Sequence, residues 1–106
     1  IEKRRKKMLK LLQKEVQIWS EKNFGDQPSW IPLLGAVEEL GELAHAHVKG
    51  AQRIKMEEDH VGNAKDAIGD IIIYLVDYCG RRGFNIEEII RTTWEEVRRR
   101  EWKKKS

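Results

Sequence analysis

The sequence has few of the residues that hold disulfide-rich, β-rich or membrane proteins together. Its 106 residues include one cysteine, Cys79, and two prolines. A lone cysteine excludes a disulfide framework within the chain, so we expect no secretory signal and a reducing, cytoplasmic location. The apolar run at residues 71–76 is far shorter than the roughly 20 residues of a membrane-spanning helix, so we expect no membrane association. No segment shows a clear strand pattern.

The composition instead favours one helical domain over residues 1–106. Charged residues make up 37% of the chain and hydrophobic residues 40%, a balance typical of a helical bundle with charged outer faces. The net charge is +3, but six lysines and arginines lie in residues 1–10 and six more in residues 98–105. The segment between them is acidic, so we do not expect nucleic-acid binding as the main role.

Hydrophobic periodicity and turn residues predict four helices. The predicted boundaries are residues 3–22, 32–49, 63 to 78 or 79, and 86–105. Pro32 suits the first turn of the second helix, Gly80 and Gly83 are expected to end the third, and Asn85 with Glu88 has the spacing of a capping box for the fourth. The linker at 50–62 has weak periodicity. The predicted inner face of the fourth helix comprises Ile86, Ile89, Ile90, Trp94 and Val97.

Acidic residues follow the same plan in the second and third predicted helices. At about 100° per residue, Glu38, Glu42, His45 and Lys49 form one stripe, and Asp66, Asp70 and Asp77 form another. Facing stripes would bring several carboxylates together, and like charges about 4 Å apart repel by roughly 4 kcal/mol at an effective dielectric constant of 20. An all-oxygen set suits a hard cation, so we expect Mg²⁺, with Mn²⁺ possible.

Basic and aromatic residues near the stripes have two interpretations. Lys49, Arg53 and Lys55 either contact phosphate groups or belong to a solvated surface. Phe24 and Trp30 are either core residues or rings that stack on a base. The third helix is too apolar for its three neighbours to cover, which favours a second copy of the chain as its cover.

The two acidic motifs resemble those of a known family. EELGE at residues 38–42 and DAIGD at 66–70 are similar to the E-E-x-x-E and E-x-x-D signature of the MazG-like all-α nucleoside triphosphate pyrophosphohydrolases. The resemblance implies an all-α, four-helix bundle completed by dimerisation, as a homodimer or a dimer of dimers. It also implies Mg²⁺-dependent cleavage of (d)NTPs to (d)NMPs and pyrophosphate, with removal of nonstandard nucleotides as a candidate role.

The resemblance also assigns roles to residues. Glu39, Glu42 and Asp70 match metal ligands of the family motifs, whereas the second-motif glutamate falls on Ala67. Asp66, four residues before Asp70, is the candidate replacement. Glu38 is either a further ligand or the base that orients the attacking water. The candidate substrate-binding residues are Trp30, Lys49, Arg53 and Tyr74.

Two alternatives use the same carboxylates. Glu42–His45 and Glu57–His60 both have the Glu-x-x-His spacing of di-iron carboxylate bundles. A non-catalytic dimerisation or nucleotide-binding module is the other alternative, and it would pair its acids with cations. The third helix has no lysine or arginine between Lys65 and Arg81, so we expect its acids to lack partners one turn away.

Overall fold

The computed structural model describes residues 2–55 and 57–100, with side chains from residue 8 onward. These residues form four helices and no strand, which confirms the all-helical prediction. The helices are α1 (Glu2–Phe24), α2 (Trp30–Ala51), α3 (His60–Arg82) and α4 (Ile86–Val97). Within the described ranges, no helix combines the length and apolar content needed to cross a bilayer.

The linker between α2 and α3 is shorter than predicted, because both helices extend into it. The α2 helix continues through Gly50 to Ala51. Asp59 caps α3 by accepting a hydrogen bond from the Gly62 backbone N–H at 2.9 Å, so α3 begins at His60 instead of Asn63. Helix α2 also begins two residues before Pro32, at Trp30. The connection is thereby confined to residues 52–59.

Of the two glycines predicted to end the third helix, Gly83 does so and Gly80 does not, so the predicted end at residue 78 or 79 is wrong. Helix α3 continues to Arg82 and ends at Gly83, which adopts the left-handed conformation at φ +69° while the Phe84 N–H donates to the Cys79 carbonyl. Gly80 has a packing role, since a Cβ atom there would overlap the side chain of Gln17 on α1. Its missing side chain lets α1 and α3 approach closely.

The predicted cap of α4 is correct, but the predicted end is not. The Asn85 side chain accepts a hydrogen bond from the Glu88 backbone N–H at 3.2 Å. The helix ends at Val97, because the N–H groups of Arg99 and Arg100 donate to carbonyls three residues back and tighten the last turn. Residues 101–105 of the predicted helix lie outside the described part of the chain.

Small residues bring α2 and α3 together. Ala36 and Ala46 on α2 and Ala67 on α3 are buried. The Tyr74 ring of α3 lies where a Cβ atom of Gly35 would be, so it packs directly on the α2 backbone. The α2 side of these contacts is formed by alanines and a glycine. The two helices therefore pack closely along their length.

A separate core joins α1, α3 and α4. Its buried residues are Val16, Val76, Cys79 and Ile86. Three partly buried residues pack against them: Leu9, Leu12 and Ile73. Burial raises the pKa of the Cys79 thiol, which keeps it protonated and unreactive. The buried Gln13 amide also joins α1 to the start of α4, since it donates to the Phe84 carbonyl at 2.7 Å and accepts from the Ile86 N–H at 2.8 Å.

Arg81 ties α3 to the loop between α1 and α2. Its Nε donates to the buried Asp77 carboxylate at 3.1 Å, and its Nη2 donates to the Ser20 hydroxyl at 2.7 Å. Its Nη1 donates to the carbonyls of Gly25 (3.1 Å) and Gln27 (2.8 Å). One guanidinium therefore satisfies a buried acid and fixes the loop that leads into α2.

One side of the α2–α3 pair is left uncovered. We call it the apolar face, and it consists of Leu33, Val37, Leu40, Ile68, Ile72 and Leu75, all of them exposed. The radius of gyration is 17.1 Å, whereas a compact domain of this length has about 13 Å. The single chain is therefore open.

Several predicted core positions are exposed for the same reason. Trp30 is 58% exposed, and Phe24 is exposed while its ring packs edge-on against Trp19 with 5.4 Å between centroids. The interpretation of Phe24 and Trp30 as core residues is therefore wrong for the single chain. Of the inner face predicted for α4, Ile86 alone is buried, since Val97 is half-buried and Ile89, Ile90 and Trp94 are exposed.

The network around Arg81 predicts unequal costs for two ion pairs that have the same sequence spacing. Arg81→Met should lower the free energy of unfolding by about 3–5 kcal/mol, because it leaves Asp77 charged and unpaired in a buried position. Arg91→Met, the matched control, breaks the exposed pair with Glu87 and should cost less than about 1 kcal/mol. Urea unfolding at fixed protein concentration measures both. Equal losses would contradict the structural role of Arg81.

Candidate functional site

The acids of α2 and α3 lie on the same side of the helix pair. On α2, Ala36 and Ala46 point toward α3, while Glu38 and Glu42 lie about 100° round the helix on one side and the apolar face lies on the other. On α3, Ala67 points toward α2, and the antiparallel direction places Asp66 and Asp70 on the acidic side too. The pair thus has one acidic and one apolar side.

The pKa of Glu39 reflects how these acids lie together. Glu39 is half-buried, and its pKa is raised first by the loss of hydration and then by the negative charges of Glu42, Asp70 and Glu38. A hydrogen bond between the Glu39 and Glu42 side chains adds to the shift. Asp70 belongs to α3 and the other acids to α2, so carboxylates of both helices share one electrostatic field.

A cavity of about 400 Å³ continues this surface toward the linker. It is lined by residues of α2, the linker and α3: Glu42, His45, Ala46, Lys49, Glu58, His60, Asn63, Asp66 and Ala67. Glu42 belongs both to this lining and to the group around Glu39. The structure therefore brings all five predicted acids, Glu38, Glu39, Glu42, Asp66 and Asp70, to one continuous surface.

Ala67 lies in the wall of this cavity. Its side chain is 3% exposed and packs between the helices. The position at which the motif resemblance would place a glutamate thus presents a buried methyl group here. Asp66, the neighbouring residue on the same wall, is the carboxylate nearest in sequence.

The candidate substrate-binding residues are spread along the helices. Lys49 lines the cavity, whereas Arg53 is exposed beyond the end of α2 and is absent from the cavity lining. Tyr74 packs over Gly35, one turn from Asp70. Trp30 lies about 28 Å along α2 from Lys49, so one nucleotide cannot contact both within a single chain.

Asp77 is separate from the acidic site. Its carboxylate pairs with Arg81, four residues later on α3. The expectation that the acids of the third helix lack a partner one turn away is therefore wrong for Asp77. Arg81 was available in the sequence, at i+4, as the signal for this pair.

Sequence reasoning missed His60 and Asn63 as parts of the site. His60 appeared in the sequence only as the second member of a Glu-x-x-His pair, and Asn63 as the start of a helix. Both residues line the cavity because Asp59 caps α3, so the helix begins at His60. The Asp59-x-x-Gly62 capping pattern is the sequence signal that places them.

The donor set suits a hard divalent cation by its chemistry. All candidate ligands are carboxylate oxygens, and the negative charges of Glu42, Asp70 and Glu38 add to the effect of lost hydration on the pKa of Glu39. Among the described residues, no three His, Cys, Asp or Glu side chains are close enough to share one metal ion. Glu42, Asp66 and Asp70 are exposed, so their side chains have room to rotate toward one.

The shifted pKa of Glu39 predicts a pH dependence of stability. Because its folded pKa is raised, the native state holds the proton more tightly than the unfolded chain, and this contribution is lost as pH rises from about 4 through the raised value. Glu39→Gln, which stays neutral, should therefore be more stable than the wild type at pH 7 in EDTA, with a smaller difference near pH 4. Urea unfolding across this range measures the effect.

Glu15→Gln on the exposed face of α1 is the matched control and should change stability little at either pH. A Glu39→Gln variant that is less stable than the wild type at pH 7 would contradict the proposed repulsion.

The chain was compared with protein families, curated proteins and solved structures. No family model, no curated protein and no solved structure matches it. A functional assignment for this chain therefore depends on the chemistry of its own residues and on the two acidic motifs that resemble the MazG-like family.

Proposed function

We propose that this protein is a Mg²⁺-dependent nucleotide pyrophosphohydrolase that cleaves (d)NTPs to (d)NMPs and pyrophosphate. The observation that carries the proposal is the convergence of carboxylates from α2 and α3 around Glu39, whose pKa is raised by lost hydration and then by the charges of Glu42, Asp70 and Glu38. Stability alone does not favour such a group, because each added like charge costs energy. Binding of a cation together with a polyphosphate would give this cluster of carboxylates a function.

Each acid has a distinct place in the proposed site. Glu39, Glu42 and Asp70 would supply the oxygens that hold Mg²⁺, and Asp66 would supply a fourth carboxylate from the cavity wall. When bound, Mg²⁺ would offset phosphate charge and lower the pKa of a coordinated water. Glu38, exposed at the border of the group, orients the attacking water and accepts its proton.

The proposed reaction is a hydrolysis of one phosphoanhydride. The water oxygen forms a bond to the α-phosphorus, the bond from that phosphorus to the α–β bridging oxygen breaks, and pyrophosphate leaves. Lys49, in the cavity wall, gives the phosphate chain a positive partner. The Tyr74 ring, held on Gly35, forms a fixed wall one turn from Asp70.

One observation bears on the di-iron alternative. The second Glu-x-x-His pair does not lie on one helix, because Glu57 precedes α3, which begins at His60. This weighs against a di-iron site, which would give an iron-loaded sample visible or near-ultraviolet absorption. A non-catalytic module would show no Mg²⁺-dependent affinity for nucleotides in calorimetry.

We also propose that a second copy of the chain covers the apolar face. Burying these six residues, which occur on both α2 and α3, would remove a large hydrophobic patch from water. The acidic side would stay open, because it lies on the other side of the helix pair. A homodimer is the smallest assembly that satisfies this, and a dimer of dimers would also do so.

The dimer proposal predicts different effects for two charge insertions. Ile72→Glu, in the middle of the apolar face, should shift the protein toward monomer, because it places an unpaired carboxylate in the interface. Thr92→Glu on exposed α4 is the control and should leave the assembly unchanged. Sedimentation equilibrium measures both. A wild-type protein that stays monomeric at high concentration would overturn the proposal.

The catalytic proposal predicts which nucleotide bond breaks and which acids matter. With Mg²⁺ or Mn²⁺, a panel of standard and modified (d)NTPs should give pyrophosphate and monophosphate for at least one member. Glu42→Gln and Asp70→Asn should each reduce the rate by roughly 100-fold or more, because each removes a metal oxygen. Glu88→Gln on α4, the matched control, should retain full activity. Activity that survives both site changes would show that the site is misplaced.

A further inference from the structure

The side of α2 that faces away from α3 carries an apolar ridge. Its residues recur at alternating spacings of four and three, and all of them are exposed: Trp30, Leu34, Val37, Gly41, Ala44 and Val48. We call these six residues the α2 ridge. Among the described helices, only α3 packs extensively against α2, and it contacts the opposite side, where Ala36 and Ala46 are buried. Alternating spacings of four and three are the pattern by which one helix packs along another.

The occupant that best fits the α2 ridge is the same ridge of a second chain. Leu33 and Leu40 of the apolar face lie directly beside it, so a helix on the ridge also covers the α2 edge of that face. The large apolar side chains of this surface expose roughly 600 Å² per chain, and the small and polar residues around them bring the total close to the about 800 Å² that each partner of a stable interface buries.

The sizes of the ridge residues determine the direction of the pair. The N-terminal half is bulky, and the C-terminal half contains Gly41 and Ala44. A parallel pair would place small residues on small ones and leave voids between the helices. An antiparallel pair with two-fold symmetry places each bulky residue opposite a smaller one. The opposed residues are Val37 with Gly41, Leu34 with Ala44, and Trp30 with Val48.

Gly41 supports this pairing independently. Nothing lies within 4 Å of the position that its Cβ atom would take, so the single chain has no packing reason for a glycine there. A glycine within a helix is destabilising relative to alanine. In the antiparallel pair, the missing side chain makes room for Val37 of the partner subunit.

The pair places the acidic sides of both chains on the same side of the two α2 helices. Glu38 flanks the ridge near the two-fold axis, so the two copies of Glu38 approach each other. Both are exposed, and water and salt therefore screen their repulsion. The opposed directions of the two helix dipoles favour the pair, since the N-terminal end of each α2 lies beside the C-terminal end of the other.

The antiparallel direction brings Trp30 to the acidic site of the other chain. Trp30 lies far along α2 from Lys49 of its own chain, but it lies opposite Val48 of the partner. Val48 is next to Lys49 and one turn from His45, and both of these line the cavity. Trp30 of the partner subunit therefore lies at the rim of the cavity, where it supplies an indole ring that the described lining of one chain lacks.

We propose that two chains pair antiparallel through the α2 ridge, and that Trp30 of the partner subunit stacks on the base of a nucleotide in the cavity. The pairing depends on the ridge alone, whereas the role of Trp30 rests on the proposed function. The acids of one chain hold the cation and the phosphate end, and the ring of the other chain covers the base.

Single cysteines test the pairing and its direction without any nucleotide. Leu34→Cys and Ala44→Cys are unfolded in urea separately and as a mixture, refolded and oxidised. The antiparallel pair predicts a cross-linked dimer from the mixture and none from either variant alone, because Leu34 lies opposite Ala44. Cross-links within each separate variant, or none in the mixture, would overturn the pairing. The wild type, with its buried Cys79, is the control and should not cross-link.

Gly41→Leu and Gly69→Leu are a matched pair for the contact itself. Both glycines are exposed within helices, and a Cβ atom at either position meets nothing within 4 Å. Gly41→Leu should raise the dimer Kd by roughly 10-fold or more, because leucine fills the space that Val37 of the partner subunit needs. Gly69→Leu should leave it unchanged in sedimentation equilibrium. A dimer that Ile72→Glu disrupts but Gly41→Leu does not would overturn the ridge as the contact.

Mixed dimers test whether Trp30 acts across the interface. The full chain is titrated with Mg²⁺ and the α,β-methylene analogues of the four dNTPs, which cannot be cleaved at the α–β bridge. Trp30→Leu keeps an apolar side chain on the ridge and should raise Kd by roughly 10-fold, as expected for one lost stacking contact. When Trp30→Leu and Asp70→Asn chains are refolded together, each mixed dimer has one site with both Asp70 and Trp30 of the partner subunit.

Calorimetry of this mixture should therefore recover a class of sites with the affinity of the wild type. A ring that acts within its own chain gives no such sites, because each mixed dimer then lacks Asp70 in one site and Trp30 in the other. That result would overturn the role of Trp30 and leave the proposed function standing. No nucleotide binding by the wild type would overturn both, while the cysteine cross-links still decide the pairing.

Discussion

The close approach of α2 and α3 is the constraint on which the rest of the structure depends. Buried alanines on both helices, and Gly35, whose missing side chain makes room for the Tyr74 ring, let the two helices approach closely. Close packing of α2 against α3 stabilises the pair by dispersion contacts and apolar burial. It also brings the acidic side chains that flank the packed faces of α2 and α3 into one electrostatic field. The raised pKa of Glu39 reflects the energetic cost of this arrangement.

The molecule divides its stability and its chemistry between different regions. The core of α1, α3 and α4, the Gln13 bridge and the Arg81 network hold the helices in register through satisfied contacts. The acidic side holds mutual repulsion, and the buried His60 ring beside it has one nitrogen without a partner among the described residues. Features of this kind are costly to a fold on its own, and they concentrate where ligands bind.

The sequence allowed the helices and the acidic surface to be predicted, because periodicity reports which residues share a face. It did not allow the helix ends to be placed, since these depend on distant partners. The sequence offers both Gly80 and Gly83 as the end of α3, and only the structure shows that Gly80 lies within the helix against Gln17 of α1 while Gly83 takes the left-handed conformation. The hydrogen bond of the His60 ring was equally hidden, because it depends on where the chain places the Ile54 carbonyl.

The central claim is that acids of α2 and α3 bind one divalent cation together, and paramagnetic Mn²⁺ tests it most directly. In NMR spectra of the full chain, substoichiometric Mn²⁺ should broaden resonances of Glu39, Glu42 and Asp70 most strongly. The broadening should fall off toward Trp30 at one end of α2 and Arg82 at the end of α3. Broadening centred elsewhere, for example on Glu95 and Glu96 of α4, or confined to one of the two helices, would contradict the account.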